Sequence, residues 1–149
     1  MGTATKTLYD TDFAEWCALT ADLVRAGRFD EVDLEHVAEE IEDMGKLDRR
    51  AATNRTRVLL LHMLQWAAQP EKRSPSWRRT IIEQRYRLGA IFQDSGSLRV
   101  YVRDHLHDVY RGAAEGALAE MSRSEGLPDK CPWTIAQILD TQFYPDSLV

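Results

Sequence analysis

Few residues of this 149-residue chain combine a reactive type with a setting where it could matter, and His62 leads them. Imidazole titrates near neutral pH, so a histidine can serve as a general base, a metal ligand or a proton switch. His62 stands between Leu61 and Met63. At the helical angle of about 100° per residue it lies close to the stripe Leu47, Ala51, Val58 and Leu61. Asn54 and Gln65 fall on the same side. This setting suits a core histidine bonded within the protein, and as a second reading a group lining a cavity. Glu40 borders another stripe, Leu34, Val37, Ile41 and Met44, which points it partly toward a core. A half-buried carboxylate needs a partner, because an unpaired buried charge is strongly destabilising. Arg73, Arg85 and His62 are the candidates. Glu40, His62, Arg73 and Arg85 therefore make up a candidate polar pocket.

The segment Lys72-Arg73-Ser74-Pro75-Ser76-Trp77-Arg78-Arg79 suggests different chemistry. Hydroxyls and arginines at a helix start can hold a phosphate, since the free amides and the dipole attract anions there. Arg73, Ser74, Ser76 and Arg78 form this candidate anion contact. The rival reading has Arg73 closing the loop and Arg78 in water. A pI near 5.4 favours that rival, since most nucleic-acid-binding domains are basic.

Metal and cofactor chemistry find no motif. A helical di-iron site needs two Glu-x-x-His pairs and two further glutamates. The chain offers only Asp33/His36 and Asp104/His107, and Asp33 reads better as a helix cap. No phosphate-binding glycine loop, nucleophile elbow or His-Glu-x-x-His zinc pair occurs. No metal and no cofactor is expected, and no residue is assigned a catalytic role. Cys17 and Cys131 are expected as free thiols.

The elements that must position these residues are helical. Asp10 or Thr11 caps a first helix carrying Phe13, Trp16 and Leu23, and Gly27 ends it. Asp33 caps a second, which is expected to continue or restart beyond Gly45 and reach Trp66. Ser74 or Ser76 starts a third, with Trp77, Ile81, Leu88 and Phe92 on one face and Arg85 at its edge. Asp94-Ser95-Gly96 stops it. Ser97 opens a long fourth helix with the buried stripe Leu98 to Ala117, where Gly112 and Gly116 permit close packing. A short helix near Thr134 to Asp140 follows, and Phe143-Tyr144-Pro145 docks back on the body. The pattern predicts an all-α, single-domain helical bundle over 1–149. It has about four main helices plus the short C-terminal one, with residues 1–8 as a flexible tail.

Charge is segregated along these elements. Residues 10–48 carry 13 acids and 3 bases, while residues 49–87 carry 10 bases and 2 acids. Packed antiparallel, such surfaces could neutralise one another within one molecule.

Several strings resemble one bacterial family: LYDTDFAEW (Leu8 to Trp16), AEEIEDMG (Ala38 to Gly45), LLLHMLQW (Leu59 to Trp66), QPEKRSPSWRRTIIEQR (Gln69 to Arg85) and CPWTIAQILDTQFYP (Cys131 to Pro145). The family is catalogued as domain of unknown function 29. The resemblance implies an all-helical domain in a bacterial cytoplasm and no particular activity. The reading that follows is a non-catalytic protein- or nucleic-acid-interaction module of unknown partner, with a protein or a second copy favoured over nucleic acid and no membrane. The alternative is an enzyme or ligand-binding protein using the polar pocket.

Overall fold

A computed structural model describes residues 2–148, with side chains from Thr7 onward. Seven α-helices are present among them: α1 (Gly2–Thr11), α2 (Phe13–Arg25), α3 (Leu34–Ala68), α4 (Pro75–Asp94), α5 (Gly96–Asp104), α6 (Leu106–Glu120) and α7 (Ile135–Leu139). No strand occurs among the described residues, so the fold class is the all-α one that the apolar periodicity predicts. The helices gather into two compact units, residues 1–47 and residues 48–149, and α3 runs through both.

The first unit opens with α1, helical from Gly2; Met1 lies outside the described residues. Asp12, rather than Asp10 or Thr11, caps α2 by accepting from the Glu15 amide at 3.1 Å. Gly27 ends α2 as expected. Its φ of +72° lets the Arg28 and Gly27 amides reach back to Leu23 and Val24 carbonyls at 2.9 and 3.1 Å. Trp16, Leu23 and Val32 form this unit's buried apolar centre.

The stripe of α3 that should face a core is largely bare. Leu34, Ile41, Met44 and Leu47 are 63%, 59%, 59% and 62% exposed, and only Val37 is half-buried. Every residue from 41 to 51 is exposed. Periodicity reports that a helix is amphipathic, not that something in the same chain covers it.

Gly45 does not interrupt α3, and a Cβ built there meets nothing within 4 Å. Gly45→Ala is therefore expected to stabilise the protein by about 1 kcal/mol, the propensity difference between the two residues in a helix interior. A rise in the urea midpoint at unchanged slope is the result to look for, and an unchanged midpoint would contradict an open helical site.

The second unit is built on the back half of α3. Leu59, Leu60, Met63 and Leu64 are fully buried against Ile81 and Leu88 of α4, Val102 of α5, Ala113 and Ala117 of α6, and Ile138 of α7. The small face of α6 lets α3 approach closely, since a Cβ on Gly116 would lie 2.8 Å from Leu61 Cδ1. The fourth predicted helix is split. His105 (φ −107°, ψ 14°) separates α5 from α6, and its ring turns back to accept a place beside Tyr101, with Nδ1 2.8 Å from the Tyr101 carbonyl. That local side-chain bond competes with the regular helix. Ser74 caps α4 through the Trp77 amide, and Thr134 and Gln137 form a reciprocal capping box on α7.

Candidate functional site

The four residues of the predicted pocket each bond to protein groups inside their own unit. Where the sequence reading looks to Arg73, Arg85 or His62 for the partner of Glu40, the structure gives Tyr9, whose hydroxyl donates to Glu40 Oε1 at 2.6 Å. His62 is half-buried and donates from Nδ1 to the Val58 carbonyl of its own helix at 2.8 Å. Arg73 donates from Nε to the Trp66 carbonyl at 2.8 Å and from Nη2 to the carbonyls of Pro145 and Asp146 at 3.3 and 3.2 Å. Arg85 is 3% exposed, deeper than the edge position predicted for it. Its Nε donates to the Ile138 carbonyl at 2.8 Å, and its Nη1 is buried without a hydrogen-bond partner. Burial pulls the Arg85 guanidinium below its ordinary range, against the opposing pull of Tyr144 and Asp140.

Arg73 and Arg85 do meet around one feature, the ring pair of Trp66 and Tyr144, whose centroids are 5.3 Å apart. Arg73 lies 5.0 Å from the Trp66 centroid, and Arg78 and Arg85 each lie 5.3 Å from that of Tyr144. Three cations over two aromatic faces gain quadrupole attraction, more strongly where desolvated. The result fastens the C-terminal segment, with Tyr144 as the pin that the sequence suggests. It also engages two of the anion-contact residues, Arg73 and Arg78. Arg73 is turned onto backbone carbonyls, Ser74 is the α4 cap, Arg78 covers a ring, and the Ser76 carbonyl accepts from Thr80.

A polar cluster outside the predicted sites lies in the first unit. His36 donates from Nδ1 to Asp33 Oδ2 at 2.5 Å, and its ring stacks on Tyr9 with centroids 3.8 Å apart and planes 15° from parallel. The hydrogen bond to Asp33 raises the His36 pKa, and the hydrogen bond to Glu40 pushes the Tyr9 hydroxyl up to about 12. The Asp33/His36 spacing was the only sequence signal; Tyr9 is too remote in the chain for any spacing rule to find. A carboxylate that fixes one imidazole nitrogen is a device used in catalysis and in metal second shells. Among the described residues, however, no group of three or more His, Cys, Asp or Glu side chains could hold a metal ion.

The raised pKa of His36 has a direction in pH. The pairing favours the protonated ring in the folded state, so its stabilisation is fully present below the unfolded value of about 6.5. It is lost as pH rises through the higher folded value. A proton NMR titration should find the His36 midpoint above that of the unfolded chain, and Asp33→Asn should bring it back down. An identical midpoint in both proteins would rule out the Asp33 pairing.

An all-helical fold, with an acidic first unit and a second unit held by arginine and aromatic contacts, defines a small helical domain. The chain belongs to the family described as Domain of unknown function DUF29, which matches residues 8–144. No curated protein and no solved structure shows a match. No helix among the described residues is long and apolar enough to cross a membrane.

Proposed function

We propose that this protein is a cytoplasmic, non-catalytic protein-binding module whose recognition surface is the front half of α3. One observation carries the reading: four large apolar side chains, Leu34, Ile41, Met44 and Leu47, stand about 60% exposed on one helix. Exposed apolar residues scattered singly need no explanation, but a row of them at helical spacing marks an interaction surface. The carboxylates of Glu35, Glu39, Glu42 and Asp43, all on exposed residues, surround the row and would keep the unbound surface in solution.

Nucleic acid is the weaker reading of the basic middle segment, because Arg73 and Arg78 are engaged by the C-terminal segment. The pocket alternative is weaker for a similar reason: Glu40, His62, Arg73 and Arg85 each already hold a protein partner.

The test places a photo-crosslinking amino acid at Met44 of the full chain in its native cell. Discrete protein adducts are expected at Met44 and absent for the same probe at exposed Gln93, and Ile41→Glu should abolish them. Equal, diffuse labelling at both positions would remove the basis for a recognition surface.

A further inference from the structure

The exposed row on α3 has both a shape and a charge, and each constrains what can cover it. At about 100° per residue, Leu34, Ala38, Ile41 and Gly45 lie within about 60° of one another, with Met44 at one border. All five are exposed. Large and small residues alternate along this line, and a Cβ on Gly45 would meet nothing within 4 Å. Ridges with gaps between them are the surface into which a second helix packs. The line from Leu34 to Gly45 spans about three turns, roughly 17 Å.

The other border is acidic. Glu42, Glu35 and Glu39 follow Ala38 around the helix, and all three are exposed. Residues 1–47 hold 12 acids against 4 bases, and those bases are largely engaged elsewhere. Arg25 pairs with Asp22, Arg28 with Glu31, and Lys46 with Asp43 at 3.9 Å. Among the described residues, Glu35, Glu39 and Glu42 have no ion pair. We propose that the row is covered by a basic amphipathic helix of a partner protein. Its apolar stripe would lie along Leu34, Ile41 and Met44, and its Lys or Arg side chains over Glu35, Glu39 and Glu42. This gives the partner chemistry for the protein-binding reading above and rests on it.

Charge separates this occupant from the others. An acidic helix, or the same row of a second copy, would set carboxylate against carboxylate. A nucleic-acid backbone and an anionic lipid surface meet the same repulsion. A neutral apolar segment would take water from the three carboxylates and return no partner. Lys and Arg suit the border, since their methylene stems can lie on apolar surface while the charged ends reach the acids. One helix laid on one row buries less than roughly 1,000 Å² in total, the range of transient contacts. The complex is therefore weak and sensitive to salt.

Fluorescence anisotropy of the full chain with three labelled peptides of roughly 18 residues, about five helical turns, tests this. One places Leu at helical spacing with Lys elsewhere, the second scrambles that order, and the third has Glu for every Lys. The ordered Lys peptide is expected to bind at roughly 1 to 100 µM at low salt, at least about tenfold more tightly than either other. Added salt should weaken it about tenfold. Ile41→Ser with Met44→Ser leaves the charge unchanged and should also cost at least about tenfold. Glu35→Lys with Glu39→Lys and Glu42→Lys should reverse the preference to the Glu peptide. Circular dichroism checks each variant for retained helix. Absence of binding up to about 200 µM overturns the proposal. So does equal affinity for the ordered and scrambled Lys peptides, or an unaffected Ile41/Met44 variant, since either would mean bare charge attraction. If the peptides fail and the Met44 probe still gives discrete adducts, with a second copy or an acidic segment, the binding surface stands and only the partner chemistry is wrong. If the peptides and the adducts both fail, the protein-binding reading falls too.

Discussion

Arg85→Ala is expected to lower the free energy of unfolding by about 3 kcal/mol, a large share of what a domain of this size possesses. The guanidinium is almost fully buried, bonds to the Ile138 carbonyl and lies against the Tyr144 ring. Removing it strips α7 and the C-terminal segment of a shared anchor and leaves a void. Arg85→Met should lose less, about 1–2 kcal/mol, because an unbranched apolar chain refills the space and removes a desolvated charge. The Ile138 carbonyl then remains unpaired, which is why a loss persists. Urea unfolding of the three proteins measures both values. Two variants as stable as the parent would mean that Arg85 is not the anchor its position implies.

Leu60→Ala should cost about 3 kcal/mol, and Leu47→Ala on the same helix should cost no more than about 0.5. Leu60 is fully buried between α3 and its neighbours in the second unit, whereas Leu47 stands in solvent. The substitution, the helix and the propensity change are identical, so the difference isolates burial. Equal losses at the two positions would show that the front of α3 is covered after all.

Local chemistry made the helices legible. Ser74 before Pro75 and Gly27 after Arg25 act through bonds within a few residues, and the structure has them where the rules put them. The docking of Tyr144 was legible because Phe143 and Tyr144 are large apolar rings that lie outside any helical stripe and gain from burial. The break at His105 was not, since a single side-chain bond to the preceding turn leaves no trace in apolar periodicity. The candidate site was less readable for a related reason. Angular position on a helix tells which side of it a residue occupies but not what stands opposite. Glu40 reads as a carboxylate needing a partner, yet Tyr9 could not be named from 31 residues away. The row from Leu34 to Met44 is the sharpest case, since the same pattern describes a core face and an exposed binding face.

That row has a consequence for how fast α3 trades its amide protons with water. The helix is continuous over 35 residues, roughly 52 Å, yet its two halves are defended by different means. Amides near Leu59 to Leu64 sit under packed neighbours, and their exchange requires the second unit to open. Amides between Ile41 and Ala51 have only the helix's own hydrogen bonds, in a stretch shorter than isolated helices need for persistence in water. One uninterrupted helix should therefore show a steep exchange gradient, fast in the middle and slow toward Ala67. Slowing confined to the fast segment would report occupancy of the exposed row directly, with no label and no change of sequence.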